Sequence, residues 1–153
     1  MRGQLKWVLL SALVVLLDLI SKQEMVDSLS VLGSYPVFHG LSFTLVYNRG
    51  AAFGFLAQEG GWQVYFFSFL ALFALIGLSF WLSKMKSYEQ AKALGVALIL
   101  GGAIGNLCDR IVLGYVVDFI DVYVGSHHWP TFNLADSAIC VGTVILIWQF
   151  WKN

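Results

Sequence analysis

Charged residues are scarce in this sequence: only 12% of its 153 residues are Asp, Glu, Lys or Arg, whereas 59% are hydrophobic. Soluble domains carry about a quarter charged residues, so this chain has too few to cover a water-facing surface. Lysines and arginines together equal aspartates and glutamates in number, and this balance leaves no basic excess to attract nucleic acid. The composition therefore predicts one membrane-embedded domain over residues 1–153, with no nucleic-acid partner.

The sequence has only two cysteines, Cys108 and Cys140, whose spacing fits neither a metal site nor a disulfide framework. We expect both to be small core residues. The sequence also lacks the H-E-x-x-H of zinc peptidases and the G-x-S-x-G of serine hydrolases. The adjacent His127 and His128 are a weak sign of metal binding, because neighbouring histidines in a polar loop seldom form a site. These absences predict no metal and no cofactor.

Four apolar segments stand out, at about residues 7–21, 62–82, 91–108 and 134–151. A bilayer core needs about 20 helical residues, with a usual range of about 17 to 25. The first segment is short, but it can span the core if Lys6 and Lys22 extend to opposite interfaces. Its basic start also resembles a signal peptide, although no A-x-A-like cleavage site follows, so we predict a retained helix. The predicted fold class is an all-α membrane protein with four transmembrane helices.

Basic residues are distributed unevenly among the polar ends and loops of these segments. Six of them fall on the two termini and on the loop between the second and third segments, and only three fall on the other side. Because cytoplasmic loops carry the excess of Lys and Arg, both termini are predicted to be cytoplasmic. The polar intervals at about 21–61 and 108–133 then lie on the extracytoplasmic side.

The first extracytoplasmic interval carries a strand-like pattern. Residues 41–47 alternate in part between apolar and polar types and are rich in β-formers, a turn is predicted at 48–50, and residues 51–55 follow it. We predict a small extracytoplasmic β-element there. In the third apolar segment, Ala97, Gly101 and Gly105 recur every four residues, a stripe of small side chains that allows a second helix to approach closely.

Charged and amide side chains gather at the extracytoplasmic ends of the predicted helices, where each needs a partner or a task. Asp18 and Lys22 have the i, i+4 spacing typical of a structural ion pair. The others are Asn106, Asp109 and Arg110 at the end of the third segment, Asp118 after two valines, and Asp136 at the start of the fourth. Taken alone, Asn133 and Asp136 fit a helix N-cap, and Arg110 fits an interfacial anchor.

Asp118 and Asp136 together support chemistry that neither supports alone. Two neighbouring carboxylates cannot both ionise cheaply, so one keeps its proton. The ionised one can take a proton from water, and the protonated one can polarise a peptide carbonyl or protonate the leaving amine, as in aspartic proteases. A helix N-terminus favours the ionised form of Asp136, so we expect Asp136 to be the base. A proton-coupled transporter is an alternative whose acids should lie near the membrane midplane, and a structural assembly factor is another.

Five motifs occur in order along the chain: DLISK at 18–22, YNRGAAFG at 47–54, GGAIGNLCDR at 101–110, VVDF at 116–119 and FNLADS at 132–137. Together they resemble those of bacterial lipoprotein signal peptidase, the type II signal peptidase, over essentially the whole chain. The resemblance implies a multi-pass aspartyl endopeptidase of the bacterial inner membrane, with its active site on the periplasmic side. Its substrate would be a diacylglyceryl-modified prolipoprotein, cut just before the lipid-modified cysteine.

By the same resemblance, Asp118 and Asp136 match the family's catalytic pair. Eight further residues match motif positions that support the site or the substrate: Asp18, Lys22, Asn48, Gly50, Asn106, Arg110, Asn133 and Ala135. The asparagines would hold an extended peptide or orient the aspartates, and Arg110 would pair with an aspartate or hold a substrate carbonyl. The resemblance also implies contact with membrane lipid and inhibition by globomycin-type cyclic peptides, and we expect a monomer.

Overall fold

The computed structural model describes residues 4–29, 33–50 and 60–152. Within these ranges lie four long helices and a four-stranded sheet. Along the chain the elements are α1 (Leu5–Leu29), β1 (Ser34–Phe38), β2 (Leu41–Asn48), α2 (Trp62–Lys84), α3 (Gln90–Val112), β3 (Val116–Val124), β4 (His127–His128) and α4 (Leu134–Trp151). Each predicted apolar segment falls within one of the four helices.

Three of the helices, α2, α3 and α4, are long and apolar enough to cross a membrane. The first helix, α1, has the length, at 25 residues, but Asp18, Lys22 and Glu24 interrupt its apolar sequence. It also runs past its predicted end at residue 21, because no glycine or proline follows until Gly33. The φ of Gly33 is 68°, and its N–H donates to the carbonyl of Leu29, an arrangement typical of a helix C-terminus.

The sheet has the strand order β1-β2-β3-β4, and every neighbouring pair is antiparallel. The β-element predicted at 41–47 is confirmed as β2, whereas the part predicted at 51–55 lies outside the described residues. β3 was not predicted; it comes from the second extracytoplasmic interval and pairs along β2, with Val46 opposite Asp118. The prediction of an all-α protein with a small β-element therefore understated the sheet, which is the element that carries Asp118.

The most buried helix is α3, which packs against α1, α2 and α4. Its predicted stripe of small residues faces α1: a Cβ on Gly101 would lie 2.6 Å from the Cβ of Val14, and one on Gly105 would lie 2.5 Å from a carboxylate oxygen of Asp18. A neighbouring face of α3 meets α4, where a Cβ on Gly102 would lie 2.3 Å from the carbonyl oxygen of Ala135. The absence of side chains at these glycines brings the charged ends of α1, α3 and α4 together.

Substitution of Gly102 by alanine is expected to destabilise the protein strongly, since the new methyl group would collide with backbone rather than with a side chain that can rotate away. Overpacking of this kind costs about 1 to 3 kcal/mol. Thermal unfolding in detergent would measure the change. Gly77→Ala is the matched control, because it lies in the interior of α2 with no other atom within 4 Å of the added Cβ, so it should hold or raise stability. An unchanged melting temperature for Gly102→Ala would contradict this close approach of α3 and α4.

The two cysteines differ in their surroundings. Cys108 is half-buried, but Cys140 is exposed, so the prediction of a core position is wrong for Cys140. The buried residues of α4 include Ala135, Gly142 and Leu146, and Cys140 lies off the stripe that these three form along the helix.

Candidate active site

Asp118 is held inside the protein by two asparagine side chains. It is 1% exposed, and its position in β3 places it beside the end of β2. From there the Asn48 amide donates to Asp118 Oδ2 at 2.9 Å, and from the start of α4 the Asn133 amide donates to Asp118 Oδ1 at 2.7 Å. Both carboxylate oxygens of Asp118 are therefore hydrogen-bonded and fixed in orientation.

Asp136 lies in the first turn of α4 and is held in a similar way. Asn133 is the N-cap of this helix, and its side-chain oxygen accepts from the backbone N–H of Asp136 at 2.8 Å. The side-chain amide of Asn106, on α3, donates to Asp136 Oδ1 at 2.8 Å. The N-cap interpretation of Asn133 and Asp136 is thus confirmed, and the carboxylate of Asp136 still has a second oxygen available for other contacts.

A bridge of two amides joins the carboxyl groups of Asp118 and Asp136. Asn133 Nδ2, which binds Asp118, lies 3.1 Å from Asn106 Oδ1, and Asn106 in turn binds Asp136. The two acids are close enough to affect each other: burial, and then the charge of Asp136, raise the pKa of Asp118 to about 7. The hydrogen bonds from Asn48 and Asn133 act in the opposite direction but are weaker.

Lys22 places a positive charge beside this bridge of two amides. Its ammonium group meets three oxygens, those of Asp18 at 2.7 Å, Asp109 at 2.9 Å and Asn106 at 3.0 Å. An ammonium group has three hydrogens, so every donor of Lys22 has an acceptor. The lysine is only 3% exposed, and the predicted ion pair with Asp18 is therefore one part of a buried network.

Asp18 and Asp109 also accept hydrogen bonds from the backbone segments that carry Asp136 and Asp118. Asp18 Oδ1 accepts from the backbone N–H of Ala135 at 2.9 Å, which satisfies one of the free donors at the start of α4. Asp109 Oδ2 accepts from the N–H of Val117 at 3.1 Å, one residue before Asp118. The charges of α1 and α3 thus set the positions of Asp118 and Asp136 through main-chain contacts.

Arg110 binds main-chain oxygens. One guanidinium nitrogen donates to the carbonyl of Gly50 at 3.0 Å and another to the carbonyl of Asn106 at 3.4 Å. The N–H of Gly50 donates to Asn48 Oδ1 at 2.8 Å, so the turn after β2 is tied to Asn48 as well as to Arg110. Among the ion pairs of the described ranges, none joins Arg110 to an aspartate. Of the two predicted roles for Arg110, the pairing with an aspartate is therefore not observed.

All ten residues predicted for the site lie in this connected cluster of contacts, while residues 51–54 of the second motif lie outside the described part of the chain. Asp109 belongs to the cluster too, although it was not among the ten. Its spacing of three from Asn106 places both on one face of α3, and this spacing was the signal available in the sequence.

His128 has a partner on the sheet. Its Nδ1 lies 2.8 Å from an oxygen of Asp121, a buried carboxylate that also accepts from Thr44 at 3.2 Å. No group of three His, Cys, Asp or Glu side chains suited to a metal ion occurs in the part of the chain that the structure describes. The histidine pair therefore contributes to contacts between strands, and Asp121 is a useful reference carboxylate in the same strand as Asp118.

The carboxyl of Asp136 is accessible from one side. Asp136 lines a cavity of about 250 Å³ together with Trp129, Phe132, Ser137 and Cys140. This lining is mostly apolar, so the cavity suits a peptide or lipid group rather than a free ion. Two buried carboxyl groups joined by an amide bridge, one of them lining a cavity, supply the two groups that general acid–base catalysis uses.

Comparison with known proteins gives consistent matches. A family model described as signal peptidase (SPase) II matches residues 10–152. The lipoprotein signal peptidase of Alteromonas mediterranea is 44% identical over 149 residues, covering 97% of this chain and 82% of that protein. The lipoprotein signal peptidase of Acinetobacter baumannii is 50% identical over 141 residues, covering 92% and 80%. A bacterial membrane enzyme solved by the in meso method at 2.3 Å superposes with a TM-score of 0.83 at 32% identity, covering 96% of this chain and 88% of that one.

Proposed function

The chain belongs to the signal peptidase II family of lipoprotein-processing proteases, and from this premise we propose that it cleaves diacylglyceryl-modified prolipoproteins just before the lipid-modified cysteine. Asp118 and Asp136 are the catalytic pair in this proposal. The observation that carries it is the amide bridge of Asn106 and Asn133, which holds two buried carboxyl groups from β3 and α4 in one site.

In the proposed mechanism Asp136 is ionised and Asp118 is protonated when the substrate arrives. Asp136 takes a proton from a water molecule while Asp118 donates its proton to the carbonyl oxygen of the scissile peptide. The oxygen of that water forms a bond to the carbonyl carbon and gives a neutral tetrahedral diol. Asp136 then passes its proton to the leaving amine, the carbon–nitrogen bond breaks, and a diol hydroxyl returns a proton to Asp118. One water is consumed, and both acids end in their starting states.

The membrane arrangement follows from charge and from the substrate. We expect four transmembrane helices including α1, both termini in the cytoplasm, and the cluster around Asp118 on the periplasmic side of the inner membrane. The excess of basic residues at the opposite end of the helices supports this orientation. A substrate anchored by acyl chains and a signal helix must be cut at the membrane surface. The same apolar approach to Asp136 would admit globomycin-type peptides, and a monomer is sufficient because every proposed site residue comes from one chain.

The proposal is tested by incubating the purified protein with a diacylglyceryl-modified prolipoprotein and with the same prolipoprotein lacking the lipid. Mass spectrometry of the products should find cleavage immediately before the modified cysteine and little cleavage of the unmodified form. Addition of EDTA should leave the rate unchanged. Cleavage at another bond, equal use of the unlipidated substrate, or a loss with EDTA that zinc restores would each contradict part of the proposal.

The pKa of Asp118 sets the expected pH dependence. With this pKa raised to about 7, Asp118 keeps the proton it must donate below that pH and loses it above. We therefore expect kcat/KM to fall by about tenfold per pH unit on the alkaline side of about pH 7. The hydrogen bond from Asn48 stabilises ionised Asp118 and lowers its pKa. In the Asn48→Ala variant, the alkaline fall of kcat/KM should therefore begin at a higher pH. A pH–rate profile of both proteins measures the shift, and a move to lower pH would contradict these assignments.

The family assignment also bears on the two alternatives predicted from sequence. Acids that relay protons through a transporter should lie near the middle of the membrane-crossing helices. Here Asp109 lies near the end of α3 and Asp136 in the first turn of α4. Asp18, nearer the middle of α1, joins them through Lys22 and the N–H of Ala135. Membership in a protease family and this placement both favour the peptidase.

A further inference from the structure

The cavity beside Asp136 is small and has two walls. The first turns of α4 form one wall with Asp136, Ser137 and Cys140, and the aromatic residues Trp129 and Phe132 form the other. Its volume of about 250 Å³ is below the range of about 300 to 1,000 Å³ that is usual for pockets enclosing a whole small ligand. The cavity therefore has room for a side chain or for part of one hydrocarbon chain, and the remainder of a larger ligand must lie outside it.

The aromatic wall is attached to β3, the strand that carries Asp118. The backbone N–H of Trp129 donates to the carbonyl of Val122 at 2.7 Å. Phe132 and Ile120 exchange backbone hydrogen bonds, with N···O distances of 3.1 and 2.8 Å. Because the opposite wall is the helix turn that carries the other acid, the cavity is fixed in position relative to both carboxyl groups.

The α4 wall suits an apolar group better than a peptide backbone. Every N–H and carbonyl of a buried backbone segment needs a hydrogen-bond partner. The hydroxyl of Ser137 already donates to the carbonyl of Asn133 at 2.9 Å, and Asp136 Oδ1 accepts from Asn106. The remaining oxygen of Asp136 is needed for the attacking water of the proposed mechanism. Cys140 adds only a thiol, whose hydrogen bonds are weak, so a hydrocarbon chain fits this wall.

An exposed stripe of side chains continues along α4 from the cavity. Cys140, Val144 and Trp148 follow one another at intervals of four residues, which places them along one side of the helix. Cys140 is exposed, and the other two are 65% and 67% exposed on a helix that is long and apolar enough to cross a membrane. From Asp136 to Trp148 the helix rises about 18 Å, close to one leaflet's share of the hydrocarbon core, about 15 Å. The stripe thus has the length and the surface of a path for an acyl chain that begins beside Asp136.

We propose that this cavity and stripe hold one acyl chain of the substrate's diacylglyceryl group, and that Cys140 determines whether a long chain fits. This inference rests on the proposed function, in which the lipid-modified cysteine provides the amine side of the scissile bond. The side chain of that cysteine therefore begins within reach of Asp136, and its acyl chains need an apolar path from there into the membrane. Cys140 lies about one turn further along α4 than Asp136, where a bulky side chain would close the path.

The first test compares two lipidated substrates that share one peptide, one with hexadecanoyl chains and one with acetyl groups. Cys140→Trp fills the cavity, and it should lower the ratio of kcat/KM for the long chains to kcat/KM for the acetyl form by about tenfold or more, mainly through KM, because overpacking is unfavourable. Val141→Trp is the matched control. This neighbouring residue is 53% exposed and is not among the described residues of the lining, so the variant should keep the parent's ratio. Thermal unfolding checks that each variant is folded.

The second test measures binding without cleavage. A lipopeptide that begins at the lipid-modified cysteine has no scissile bond, and a diazirine in its acyl chain marks the residues that the chain contacts when it is irradiated. We expect cross-links at Cys140 and Val144 that an excess of unlabelled lipopeptide removes. A diazirine-labelled phosphatidylglycerol, the control for general lipid contact, should label α4 without such competition.

The outcomes separate this inference from the proposed function. Competed cross-links only on other helices, or a parent-like ratio in Cys140→Trp, overturn the inference. An equal loss for both substrates in that variant indicates that a peptide side chain occupies the cavity, and it overturns the inference too. If the parent cleaves neither substrate while its cross-links at Cys140 are competed, the proposed function fails and the lipid path is supported.

Discussion

Replacing Asp136 with asparagine is expected to abolish proteolysis while leaving a folded protein. Asparagine keeps the shape of aspartate and an oxygen that can still accept from Asn106, and its backbone N–H can still donate to Asn133. What it loses is the ability to take a proton from water. General acid–base catalysis contributes about 10² to 10⁴-fold, so the rate should fall by at least about a hundredfold.

The same substitution at Asp118 should be equally inactive but less stable. Both oxygens of Asp118 accept amide hydrogens, from Asn48 and from Asn133. An asparagine there must turn its own NH₂ group towards one of these donors. An unsatisfied buried polar group costs about 1 to 3 kcal/mol, so we expect Asp118→Asn to unfold at a lower temperature than Asp136→Asn.

Asp121→Asn is the matched control for both variants. Asp121 lies in the same strand as Asp118 and is also buried, but it contacts Thr44 and His128 and stands apart from the amide bridge. Single-turnover cleavage of a diacylglyceryl-modified substrate, with circular dichroism to check folding, separates chemistry from structure. Normal turnover by either dyad variant would refute the catalytic roles, and a loss of equal size in Asp121→Asn would show that the assay reports stability instead.

Replacing Lys22 with methionine is expected to prevent stable folding. Methionine matches the length of the lysine stem, so the main change is the loss of one charge that serves three acceptors. Asp18 and Asp109 would remain buried without a counter-ion. Removing one partner of a buried ion pair costs about 3 to 5 kcal/mol, which is a large share of the stability of a small protein.

A second variant makes this prediction specific to charge. Combining Lys22→Met with Asp18→Asn removes one of the two stranded carboxylates, so the double variant should be more stable than the sum of the single effects predicts. Lys6→Met is the control at the other end of α1, where the lysine is exposed and contacts Gln90; it should change stability little. The yield and melting temperature of each purified variant provide the measurement. If Lys22→Met were well folded and inactive, Lys22 would belong to the catalytic group rather than to its support.

Much of the helical part of this fold is predictable from sequence because it depends on local composition. Runs of apolar residues long enough to cross a bilayer place α2, α3 and α4 closely, and the charges at one end of them indicate where polar contacts gather. The ends of the helices were harder to predict. The helix α1 passes residue 21 because its polar continuation contains no residue that stops a helix, and hydrophobicity gives no information about such a continuation.

The sheet and the amide bridge were not predictable in the same way. In β3, Asp118 and Asp121 are three residues apart, which conceals the two-residue alternation of a strand. Its pairing with β2 joins residues that are distant in sequence, so no local pattern places Asn48 beside Asp118. The resemblance to a known family identified the ten residues, but it did not indicate which of them touch. Only the folded structure shows that Lys22 forms an ion pair with Asp109. It also shows that Asp109 accepts a hydrogen bond from the backbone N–H of Val117, just before Asp118.

The contact between Asp18 and the N–H of Ala135 has a consequence for how the enzyme is made. It joins the first helix to the last, so the start of α4 is completed by a side chain synthesised more than a hundred residues earlier. A nascent chain that has emerged only as far as Val112 already contains Asp18, Lys22 and Asn106 but neither Asp118 nor Asp136. The site proposed for proteolysis is therefore complete only after α4 has been synthesised and its start has met Asp18. Under the proposed mechanism, a chain translated only as far as α3 is unable to cut the signal peptides of other proteins that cross the membrane beside it.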